Sequence, residues 1–149
     1  MLTADQLRSP RVREGVAHWR ALAGERPMPR RKDFDPLAVT ALMPHIMLKD
    51  IRRDPLDFRY RLVGTTVRHH SSADYTGRWM SEIPHQGPDS VVWNVCAQVA
   101  TKATPILLRP PYAGPQRDFI WLEAAVLPLS DSDGNPPGML LLFIDFLRG

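Results

Sequence analysis

An α+β fold built on one antiparallel sheet is what this sequence predicts, and three observations carry the prediction. Asp57–Thr65, DFRYRLVGT, alternates as a strand does, with Phe58, Tyr60 and Leu62 on one face and Arg59, Arg61 and Val63 on the other. Two runs near the C-terminus, Asp118–Leu127 and Met139–Leu147, are apolar on both faces, the pattern of strands covered on both sides. Between these regions, Pro88–Ala103 has helical period: Val92, Val95, Cys96, Val99 and Ala103 make an apolar face, with Trp93 beside it.

The chain opens with a helix. Ser9-Pro10 reads as an N-cap followed by proline at the first helical position, and Gly24 stops the helix. Val12, Val16, Trp19 and Ala23 form its narrow apolar stripe. Glu25–Lys32 has two prolines and four cations and reads as an extended linker. Asp35-Pro36 starts a short helix expected to end before Pro44, because proline disfavours a helical Met43. His45–Ile51 and the DFRYRLV run flank Arg52-Arg53-Asp54-Pro55, so the two strands form a hairpin. Gly64 ends the second of them, with positive φ expected there.

Thr65–Ser72 is a short helical or turn segment, DYTG at 74–77 a tight turn, and Trp79–Ile83 one more helical turn. In the long helix, Asp89 is placed in the first turn, where its charge suits the helix dipole. Ile106–Arg109 precedes Pro110-Pro111 and so belongs at a sheet edge. Asp131–Pro137, DSDGNPP, is a turn between the last two strands. The result is one domain over residues 1–149: a helical leader and basic linker (1–32), then a β-β, helical, β-β-β core (33–149) with its helices gathered on one face.

Composition narrows the function. The 149 residues are 44% hydrophobic and 23% charged, as in an ordinary globular domain. The longest C-terminal apolar run, Met139–Ile144, is far short of the ~20 residues that span a bilayer. No apolar stretch follows a basic start, and the single cysteine, Cys96, cannot pair internally, so a cytoplasmic location is expected. The net charge of +3 is concentrated at the start, where residues 1–32 carry eight cations and three acids. Arg30-Arg31-Lys32 lacks interleaved aromatics and sits beside Asp33 and Asp35, so we read this leader as a solvated helix face and linker rather than a nucleic-acid surface.

Several blocks together resemble the PAS_5 family of PAS-domain proteins: Trp19, Arg26–Pro36, Leu42–Ile46, Asp57–Thr65, Asp74, Thr76-Gly77-Arg78 and Glu123–Ser130. The combination of RYRLVGT with TGR is the more specific part. Ser71-Ser72 depart from the family's usual aromatic or large residue followed by glycine. The resemblance implies a PAS-like five-stranded antiparallel sheet in the order 2-1-5-4-3, with helices packed around a small central cavity. It puts the Asp57–Val63 strand at a sheet edge, where Arg59 and Arg61 would discourage edge pairing. It also implies a sensory or adaptor role, without catalysis, through a small ligand or a signalling partner protein.

The chemistry-bearing residues are few. No P-loop, dinucleotide fingerprint, HExxH or CxxC is present. His69-His70 is the one histidine cluster, and adjacent side chains diverge, which argues against a metal site. The long helix contains no histidine and only His85 lies near it, which argues against haem; the cysteine motif of flavin photosensors is absent, and Cys96 reads as a buried, inert thiol. Phe58, Tyr60, Trp93, Trp121 and Cys96 either pack a core or line a ligand cavity. Glu123 and Asp145 each interrupt an apolar strand. They are either an acid–base pair in the cavity of a small enzyme, or each pairs with Lys49 or an arginine or faces water at the sheet surface. A purely structural interaction module is a third reading. Since one narrow helix seldom covers five strands, a homodimer through Val12, Val16 and Trp19 is expected to complete the second sheet face.

Overall fold

The hairpin forms as expected: β1 (Ile46–Arg52) pairs antiparallel with β2 (Asp57–Val63). The computed structural model describes residues 1–132 and 136–149, so the centre of the expected 131–137 turn lies outside the described residues. β3 (Ile106–Leu108), β4 (Trp121–Ser130) and β5 (Pro137–Leu147) complete one antiparallel sheet in the order β2-β1-β5-β4-β3. β4 starts three residues later than expected, because Phe119 closes a turn onto the Gln116 carbonyl.

The alternation within β2 is broken. Leu48 pairs with Leu62 but Lys49 pairs with Tyr60, which leaves Arg61 as the extra residue of a β-bulge. Phe58 and Tyr60 therefore pack in one core, whereas Leu62 turns to the other and Val63 takes its place in the first. The strand's outer edge is not left bare. Tyr60 exchanges backbone hydrogen bonds with the 77–78 turn, its amide donating to the Arg78 carbonyl and its carbonyl accepting from Gly77. Arg59 and Arg61 reach instead to Asp50, at 2.9 and 3.4 Å.

α1 (Pro10–Ala23) is capped as the sequence predicts: Ser9 Oγ accepts from the Val12 amide at 3.2 Å, and Gly24 takes φ 61°. The segment Pro36–His45 is 3-10 helical, kinked at Val39, and runs through Pro44 instead of ending before it. The proline is tolerated because the closing hydrogen bond of that turn comes from the Ile46 amide to the Met43 carbonyl. α2 (Thr65–His69) is short. α3 (Val91–Lys102) is capped by Ser90, which puts Asp89 ahead of the cap and outside the first turn.

Both sheet faces are covered. α2, α3 and the turn at Met80–Glu82 pack on one, burying Phe58, Val67, Met80, Trp93 and Val99. α1, the N-terminal residues and the 36–45 segment cover the other, with Leu7, Val12, Val16, Trp19 and Leu42 against Leu127, Leu141 and Phe143. α1 lies close because Gly15 faces the Phe143 ring; a Cβ there would stand 2.2 Å from the ring. The short helix at 36–45 thus joins α1, contrary to the expectation that the core helices share one face.

Candidate ligand cavity

Short side chains create a space between α3 and the sheet. Val92 and Val95 on α3 face Ala124 and Val126 on β4, and this layer is too thin to fill the gap a helix leaves above a sheet. The resulting cavity is about 290 Å3, at the small end of ligand sites. Val91 and Val92, 74% and 38% exposed, line it where it meets solvent. A larger hollow of about 490 Å3 along Ile83–Ser90 is lined by loop residues, with His85, Pro88 and Asp89 exposed to solvent.

One polar side chain dominates the wall. Lys49 on β1 is wholly buried and lines the cavity. Its Nζ lies 3.6 Å from Cys96 Sγ, 3.5 Å from Met80 Sδ and 4.7 Å from the centre of the Tyr60 ring. Among the described residues it makes no ion pair with a carboxylate. Burial pushes the Lys49 pKa down, but attraction from the Cys96 sulfur and the Tyr60 phenol outweighs it, and the net direction is up. Tyr60 in turn donates its hydroxyl to Gln86 Oε1.

Of the residues singled out by sequence, Tyr60 and Cys96 line the cavity. Phe58 and Trp93 do not; they pack edge to face, ring centres 5.1 Å apart, as core beside it. Trp121 is half-buried at the start of β4 and alternates to the face shared with Glu123. The sequence offers Lys49 only as a partner for the acids. Its place was readable, because it stands between Met47 and Ile51 on the alternation of β1.

Glu123 and Asp145 lie on the α1 face of the sheet, across it from the cavity. The Glu123 carboxylate accepts from the amides of Arg8 (2.9 Å) and Ser9 (2.8 Å) and from Arg109 Nε (2.9 Å). Asp145 accepts from Ser9 Oγ at 2.7 Å, with His45 Nδ1 at 3.6 Å and Arg11 at 3.8 Å. The arginine partnership is the reading that holds; a general base in the cavity is not what these acids form. Val12, Val16 and Trp19 are buried against the chain's own sheet, and Trp19 Nε1 donates to the Pro128 carbonyl at 2.9 Å. The second face is thereby covered within one chain, so these three side chains are not available as a dimer surface. His70 stacks on Phe146, and among the described residues no three His, Cys, Asp or Glu side chains gather as a metal set. No helix among the described residues is long and apolar enough to cross a membrane.

The strand order 2-1-5-4-3, with a long helix closing a cavity over the central strands, is the architecture of a PAS domain. Among solved structures, a fungal LOV domain photoreceptor is similar at 12% identity and a TM-score of 0.48, covering 78% of this chain and 94% of that one. Comparison with curated proteins finds no match. The PAS_5 sequence model, a PAS domain, matches residues 7–143, and the chain belongs to that family.

Proposed function

We propose that this chain is a single-domain sensory module whose input is a small molecule held between α3 and strands β1, β5 and β4. The observation that carries the reading is the apolar cavity itself, since a core without a ligand role is packed to closer density. A route for output supports it. Leu122, Ala124 and Ile144 line the cavity, while their neighbours Glu123 and Asp145 point through the sheet to the start of α1. A ligand that shifts β4 against β5 would move the anchor of the N-terminal arm, which is the surface offered to a signalling partner. We assign no catalysis to the chain and place it in the cytoplasm, where a buried free thiol such as Cys96 persists.

Native mass spectrometry of the freshly purified protein tests this, followed by thermal denaturation against a panel of small amphipathic molecules. A retained small molecule, or a melting temperature that rises with ligand concentration, is expected by mass action. An empty protein indifferent to the whole panel would remove the sensory reading and leave a structural module.

A further inference from the structure

We propose that the cavity takes a small organic carboxylate, its anionic head on Lys49 Nζ and its apolar body along Val92, Val95, Ala124 and Val126. This rests on the reading of the cavity as a ligand site. Lys49 is wholly buried, it lines the cavity, and its hydrogens meet two sulfurs and a ring face. Sulfur and π-clouds are weak acceptors, and an ammonium carries three strong donors. A buried charge is ordinarily paired, yet no carboxylate among the described residues pairs with this one.

The remaining walls decide among anions. Apart from Lys49, the Tyr60 ring and the sulfur-bearing Met47 and Cys96, the lining is aliphatic. A sugar or nucleotide would find its hydroxyls without partners, and a phosphate dianion would meet one cation where it needs more than one. A neutral hydrocarbon would fill the space and leave the ammonium as it is. A monocarboxylate with an aliphatic or single-ring body answers both the charge and the walls. The cavity volume of about 290 Å3 limits that body to a small one.

The test is calorimetric titration of the full chain with hexanoate, octanoate and benzoate, each against its neutral amide, in wild type and Lys49→Met. Wild type should prefer at least one carboxylate over its amide by about tenfold or more, the size of one charge-assisted hydrogen bond. In Lys49→Met the preference should fall to about one, with amide affinity retained. Methionine matches the lysine stem in an apolar wall, and replacing a buried charge in this way is commonly tolerated. Should that variant not fold, Lys49→Gln serves, and the wild-type ratio decides by itself. Amides binding as tightly as carboxylates, or a preference that survives in the variant, would overturn the carboxylate assignment and leave the cavity a ligand site. Binding of neither class would overturn both.

Discussion

Glu123 on β4 and Asp145 on β5 are direct cross-strand partners, and together their carboxylates hold the N-terminal arm to the sheet. Like charges facing each other across a ladder are destabilising unless something answers them. Here the answer is shared: Arg109 and two backbone amides for Glu123, the Ser9 hydroxyl and Arg11 for Asp145. Ser9 also caps α1, so one residue joins the helix start to both strands.

The two acids should differ in weight. Glu123 is wholly buried with Arg109 partly so, and Glu123→Gln leaves that guanidinium without its carboxylate, at a cost of about 3–5 kcal/mol. Asp145→Asn keeps an acceptor for Ser9 and should cost about 1 kcal/mol. Urea unfolding of both variants measures the difference; equal, small losses would show that the arm is held by its apolar contacts alone.

Gly64 is required by close approach, not by its backbone angle. Its φ is −63°, which any residue adopts, but a Cβ would lie 2.4 Å from the carbonyl oxygens of Met43 and Pro44. Backbone atoms on two sides cannot yield cheaply. Gly64→Ala should unfold at markedly lower temperature and Gly64→Val should be mostly insoluble; unchanged melting in Gly64→Ala would contradict the contact.

Gly15 makes a second such contact, but with a side chain. Gly15→Ala gains about 1 kcal/mol of helix propensity and should still destabilise, since overpacking against Phe143 costs about 1–3 kcal/mol. Adding Phe143→Leu to Gly15→Ala should therefore cost less than Phe143→Leu alone. A double-mutant cycle with no coupling would refute the packing of α1 described above.

Asp33 supplies a pH signature for the linker. The Arg30 amide donating to its carboxylate is the largest cause of a pKa lowered to about 2, with Arg26 and Arg30 side chains adding to it against burial. A carboxyl whose folded pKa is depressed stabilises fully above its unfolded value near 3.8, and that stability is lost as pH falls through about 2. Melting temperatures of wild type and Asp33→Asn should thus differ at pH 5 and draw together as pH falls through about 2. Curves that stay parallel over that window would place the linker's stability elsewhere.

Local rules made the elements legible, and non-local ones hid the site. Ser9-Pro10, Gly24 and the hairpin turn are chemistry within a few residues, and α1, β1 and β2 stand where that chemistry puts them. The bulge at Arg61 is not local: it depends on how Lys49 registers with Tyr60, and it moved Leu62 to the opposite face. The same limit applied to Glu123 and Asp145, whose shared face follows from the pairing of β4 with β5. Size and aromaticity single out Trp93 and Trp121 in the sequence, whereas the cavity arises where side chains are small, at Ala124 and Val126. Lys49 is legible as a charge on an apolar alternation, but only the fold shows that no acid among the described residues stands opposite it.

Methyl-resolved NMR of the isotope-labelled full chain, titrated with octanoate, tests the cavity most directly. Signals of Val92, Val95, Ala124, Val126 and Leu142, which line it, should shift saturably, while Leu127, Leu129 and Leu141 on the α1 face should move little. Shifts confined to the α1 face, or spread without saturation over both faces, would contradict a ligand site between α3 and the sheet.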